Sequence, residues 1–271
     1  MLRSVADLKH YTLEAQDGDI GHVVDLLFND HDWVVRHLVA STARWLPGRK
    51  VLLPSRLLAQ PDWRRHTVPV DLTRWQVEES PPLEEDAPVS LQHVNEIEQH
   101  FHLPTSWTGG GTPLAEGPQP HQVDTALEQL ERKEAEVQQL RGETAAPADR
   151  GAAGEAEQRL AGNPQLRSAR EVIGYHLEGK DGRVGRIEDL LVEDEKWVLR
   201  YAVVDTRVLL PGGRVLLPLP WLQSIRYEDD TATVDLTREA VRESPAYNPN
   251  EPVNRRTEEV LYDYYGRPHY W

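Results

Sequence analysis

The chain has 271 residues, 39% hydrophobic content and a formal net charge of −15, which suits two ordinary domains better than one large core. The acidity argues against a general nucleic-acid binder, which needs basic surface to displace counterions, and against docking on an anionic membrane. With no cysteine in the chain, disulfides, thiolate zinc sites and cysteine nucleophiles are excluded.

The first residues turn polar quickly, and no run approaches the roughly 18 apolar residues of a membrane helix. A soluble cytoplasmic protein without a transmembrane segment is the expectation.

In chain order, residues 11–15 read as a short strand followed by QDGDIG, where Asp-Gly and a second glycine mark a tight turn or bulge. Residues 20–28 largely alternate, NDHDW makes the next turn, and residues 33–41 form a third strand. WLPGRKVLLP at 45–54 reads as a Pro-Gly turn feeding a fourth strand. Leu57 and Leu58 suggest a helical corner, TVPVDL a last strand, and Thr73 an N-cap for a helix stopped at Ser-Pro. A second helix over about 89–101 is predicted to lead into an aromatic tail with Phe101 and Trp107.

All of this recurs at an offset of 164 positions without a gap: KDGRVG, EDEKW, LLPGGRVLLP at 209–218, VDLTR and Thr237. About 36 of roughly 80 positions are identical between 2–81 and 166–245. The organisation read from this is a barrel unit over 1–81 with an extension over 82–107, and a second unit over 166–245 with an extension over 246–271. Residues 108–165 between them, rich in Gly, Pro and Ala, read as a flexible linker whose one thin apolar stripe from Val123 to Leu140, at mostly helical spacing, allows a marginal helix. Several short antiparallel strands in so small a unit fit a barrel, whose closure removes exposed edges. The fold class expected is mainly β: two small antiparallel barrels, each followed by short helices.

The ordered set Y-x-L-E-x-x-D-G-x-x-G-x-x-x-D-L-L, D-x-x-W-x-x-R, L-P-G-x-x-V-L-L-P, V-D-L-T-R and E-S-P, present twice, resembles the PRC-barrel family. The closing RRTEEVLYDYYGRPHYW is similar to the tail of its bacterial tandem members. The resemblance covers both units and not the linker. It implies a barrel related to the cytoplasmic domain of the photosynthetic reaction-centre H subunit and to the C-terminal domain of the ribosome-maturation factor RimM. By that resemblance the role is non-catalytic: a protein-binding scaffold, associated with stress responses, that needs no cofactor. The other reading is a sensor binding a small ligand or ion at a barrel mouth or between the units.

Asp17, Asp19 and Asp25 lack the oxygen count and terminal glutamate of a calcium loop, and Asp19 becomes Arg183 in unit two. His93, His100 and His102 near Glu96 invite a metal, but their counterparts are Thr257, Tyr264 and Gly266. Ser55 becomes Leu219, no elbow glycines flank it, and neither DG turn is a phosphate loop. Neither an enzyme site nor a metal site is expected.

Period-two counting puts Asp25 and Arg36 on largely apolar strand faces, as it does Asp189 and Arg200. Buried charges need partners, so Asp25–Arg36 and Asp189–Arg200 ion pairs are predicted inside or at the mouth of each barrel, the alternative being solvated rims. Tyr262, Tyr264, Tyr265, Tyr270 and Trp271, with Phe101 and Trp107, are candidate interaction residues. They either strap onto their own barrel or dock on the other unit or another chain, and the two units are expected to pair pseudo-symmetrically.

Overall fold

The structure is a computed structural model describing residues 1–42, 49–83, 91–103, 166–207 and 213–271. Both Pro-Gly turns, the linker stripe and Trp107 lie outside the described residues.

The described chain is mainly β, in two sheets. Unit one contains β1 (Leu2–Ser4), α1 (Val5–Leu8), β2 (Thr12–Ala15), β3 (Gly18–Asn29), β4 (Val35–Ser41) and β5 (Lys50–Pro54). A 3₁₀ turn at Ser55–Leu57 follows, then β6 (Thr67–Pro69), α2 (Arg74–Glu79) and α3 (Leu91–His100). Unit two repeats the plan as β7 (Leu166–Ser168), α4 (Ala169–Val172), β8 (His176–Gly179), β9 (Gly182–Glu193), β10 (Val198–Asp205) and β11 (Arg214–Pro218). A 3₁₀ turn at Leu219–Trp221 leads to β12 (Leu222–Arg226), β13 (Thr231–Val234), α5 (Arg238–Arg242) and α6 (Arg255–Tyr264).

The strand order is β5-β4-β3-β2-β6 in one sheet and β11-β10-β9-β8-β13-β12 in the other. Among the described residues no ladder joins the two ends of either path. The expectation of purely antiparallel sheets needs correcting, because β2 runs parallel to β6 and β8 parallel to β13. These strands are far apart in sequence, so no hairpin forces them antiparallel. Among the described residues β12 has no counterpart strand in unit one, where the bridges Leu58↔Val70 and Asp62↔Thr67 stand instead. Pro61 and Pro69 stand there in place of Ile225 and Thr233 and remove two ladder donors.

Local chemistry explains the corners. Gly21 has φ +127°, and a side chain there would meet the Ser41 carbonyl oxygen at 1.9 Å; at Gly185 the Asp205 carbonyl would be 2.3 Å away. Only glycine lets the hairpin and the neighbouring strand approach this closely. The turn aspartates cap helices, since Asp17 accepts from the Arg74 N–H and Asp181 from the Arg238 N–H, both at 2.7 Å. Thr73 caps α2 in a reciprocal box with Gln76, and Thr237 caps α5 through the Ala240 N–H. Thr73→Ala and Thr237→Ala are each expected to lower stability by about 1 kcal/mol in urea titrations.

The core crosses the boundary between units. Buried side chains from Val5 to Phe101 and from Ala169 to Val241 form one continuous apolar cluster. On β10, Ala202 and Val204 face that core, while Tyr201 and Val203 face a second cluster containing Leu261 and Tyr262 of α6. Alternating residues of one strand thus fill two layers.

Candidate interaction site

The site that unites the molecule is the seam between the units, and it begins with an uncovered edge. β3 has 12 residues, yet β2 pairs only with its first part, from Gly18 to His22. Beyond that point β7 of the other unit takes over, pairing Leu27↔Ser168, Phe28↔Arg167 and Asn29↔Leu166. In return β1 pairs with β9, Leu2↔Glu193, Arg3↔Val192 and Ser4↔Leu191. Each unit therefore lends its first strand to cover the exposed edge of its neighbour's longest strand.

Side chains lock each arm in place. The Ser168 hydroxyl donates to Asp25 Oδ2 at 2.5 Å, and the Arg170 N–H donates to Asp25 Oδ1 at 3.0 Å. Reciprocally, the Ser4 hydroxyl donates to Asp189 Oδ2 at 2.5 Å and the Ala6 N–H to Asp189 Oδ1 at 3.1 Å. Each carboxylate thus serves the first helical turn of the opposite unit, α4 or α1, where free N–H groups favour an anion. Further along, Arg3 Nε donates to the buried Asp194 and Arg167 Nε to Asp30, both at 3.0 Å. At the centre Val34 bridges Val198, flanked by the bonds Val35 N to Trp197 O at 2.7 Å and Leu199 N to Trp33 O at 2.8 Å. Trp33 and Trp197 hold left-handed backbone, φ 61° and 53°, a conformation that persists in bulky residues only where the surroundings over-determine it.

The structure does not join Asp25 to Arg36 or Asp189 to Arg200. Arg36 pairs with Asp32 at 2.5 Å and Arg200 with Glu193 at 2.5 Å. The physical reason is register: bulges between Val23 and Asp25 and between Leu27 and Phe28 reset the alternation of β3 against β4. Asp25 instead turns to the opposite unit. Burial pushes the Asp25 and Asp189 carboxyls above the usual range, and the serine and backbone hydrogen bonds only partly offset it.

The aromatic extension of unit two straps onto its own sheet. Glu258, buried on α6, accepts from the Tyr201 hydroxyl at 2.8 Å and the Tyr270 hydroxyl at 2.7 Å, and Arg255 lies 3.1 Å away. Trp221 meets Tyr262 and Tyr265 edge-on with centroids 5.2 and 5.0 Å apart. Arg200 sits 4.7 Å from the Tyr270 ring and Arg255 4.1 Å from Trp271, within cation–π range. Tyr264, Tyr270 and Trp271 still expose 41, 42 and 44% of their surface, so their outer faces stay open to solvent. In unit one Phe101 is buried. Tyr201→Phe removes one donor to a buried carboxylate and is expected to cost about 2 kcal/mol in thermal or urea unfolding.

Two further features lie beside the seam. A cleft of about 460 Å³ is lined by Arg36, Arg56 and Glu98 of unit one and Glu195, Lys196 and Trp197 of unit two. On β4, His37 is 1% exposed, and among the described residues neither ring nitrogen has a hydrogen-bond partner. Burial, reinforced by Arg36, His93 and Arg56, lowers its pKa to about 4. His100 contacts the Gln76 carbonyl at 3.0 Å and His93 lies 3.9 Å from Glu96. Among the described residues no cluster of three His, Asp or Glu side chains could hold a metal, and no helix is long and apolar enough to cross a membrane.

A scan of protein-family models and a search of curated proteins both find no match to this chain. The residues of the seam that the sequence reading passed over, Arg3, Ser4, Arg167 and Ser168, carry a usable signal. Leu-Arg-Ser recurs identically, and Ser-x-x-Asp and Ser-x-x-Glu at 4–7 and 168–171 are helix-start patterns.

Proposed function

We propose that this chain is a non-catalytic interaction or scaffold module built from a duplicated PRC-type barrel, its two units working as one pseudo-symmetric body. The ordered motifs supply the barrel reading. The observation that carries the function is the reciprocal exchange of β1 and β7, which directs Asp25 and Asp189 into holding the pair together. A rigid paired body presents both units in one fixed orientation, which lowers the entropy lost on engaging a protein partner. The half-exposed aromatics Tyr264, Tyr270 and Trp271 are suitable anchors for such a partner.

In-cell cross-linking of wild type beside an Asp25→Ala variant tests this. Partner cross-links that map to the paired body and fall away in the variant support the reading; no protein cross-link above background counts against it. A second reading, a ligand sensor, is favoured by the cleft between the units, whose volume suits a small molecule. A saturable rise in Tm in a metabolite screen, abolished by Arg36→Ala, would move the function there.

A further inference from the structure

The two arms carry the same three residues, and the two docks the same pair of aspartates. Arm one is Leu2-Arg3-Ser4 and arm two is Leu166-Arg167-Ser168; the docks are Asp25 with Asp30 and Asp189 with Asp194. The contacts match as well as the residues. Serine to aspartate is 2.5 Å in both, arginine to aspartate 3.0 Å in both, and the helix N–H to aspartate 3.0 or 3.1 Å. The accessory contacts travel with each arm's own unit: the Met1 amino group and Gln60 reach Asp194 beside Arg3, and Tyr227 reaches Asp30 beneath Arg167. At the centre a valine faces a valine. None of these interactions distinguishes the other unit of the same chain from the same unit of another chain.

We infer that each unit is self-complementary and that a second copy of this chain is a cognate partner, engaged by arm exchange. Unit one of one copy pairs with unit one of another, each Leu2–Ser4 arm seated against Asp25 and Asp30 of its mate. An isologous interface of this kind needs the same patch on both sides, which the identical arms and docks supply. Within one chain the tether raises the effective concentration of the opposite unit, so the closed form dominates when dilute and exchange between chains gains when concentrated. The inference rests on the paired-body reading above.

The chain has no cysteine, so introduced cysteines report cleanly. Val34 and Val198 form a non-hydrogen-bonded antiparallel pair, with Cα atoms about 4.5 Å apart in such geometry, suitable for a disulfide. The full chain carrying Val34→Cys alone has no partner thiol within the molecule, but in a homotypic pair it faces its own copy. It is refolded from urea in a glutathione buffer, dilute and concentrated, beside Glu259→Cys as an exposed control and the Val34→Cys/Val198→Cys double variant. The expected result is that the double variant closes within the chain. Val34→Cys gives covalent dimer several-fold above the control, rising with concentration. Val34→Cys remaining at the control level throughout, while the double variant closes, overturns the exchange between chains. Failure of the double variant to close overturns the paired body itself.

Discussion

Replacing Asp25 with alanine is expected to lower the unfolding free energy by about 3 kcal/mol, with Asp189→Ala similar, as read by urea unfolding. The alanine leaves the Ser168 hydroxyl and the Arg170 and Leu26 N–H groups without their acceptor. Asp25→Asn is expected to cost less than about 1 kcal/mol, because its amide oxygen keeps both backbone bonds and its NH₂ can donate to the Ser168 hydroxyl. Acid should not release the arms through these carboxylates. Their folded pKa values are raised above the unfolded value, so the folded state binds the proton more readily and this contribution grows as pH falls.

His37→Leu should raise stability at neutral pH and flatten the acid limb of the stability profile. In the native protein the imidazole is buried, has no hydrogen-bond partner among the described residues, and has its pKa lowered from 6.5 to about 4. Between those values the unfolded chain takes up a proton that the folded chain refuses, so stability falls as pH drops through this window. At roughly 1.4 kcal/mol per pKa unit the loss approaches about 3 kcal/mol by pH 4. The carboxylates held low by arginine, Asp205 by Arg207 and Glu188 by Arg214, lose their contribution only at lower pH. Thermal unfolding of wild type and His37→Leu at pH 7 and pH 4.5 checks this: the two proteins should diverge most at the lower pH. The second copy shows what the position otherwise holds, since His37 corresponds to Tyr201, whose hydroxyl has Glu258 as its partner.

Much of each unit can be read from residues alone because its determinants are local. The Asp-Gly turns and the Thr73 and Thr237 caps depend on neighbours within a few positions. The seam is harder to read. Identical Leu-Arg-Ser arms cannot reveal whether each pairs with its own long strand or with the other's, since the chemistry is the same either way. The Asp25–Arg36 expectation failed for a related reason: counting by twos along β3 assumes an unbroken pleat, and two bulges break it. The long-range partners of Asp25 then come from residues 168 and 170, which no local pattern links to it.

A shared core and exchanged strands require the two units to unfold together, and differential scanning calorimetry of the full chain measures this most directly. One transition is expected, with calorimetric and van't Hoff enthalpies in agreement, and Asp25→Ala should lower its Tm as a whole. Two resolved transitions, only one of them moved by Asp25→Ala, would contradict the paired body.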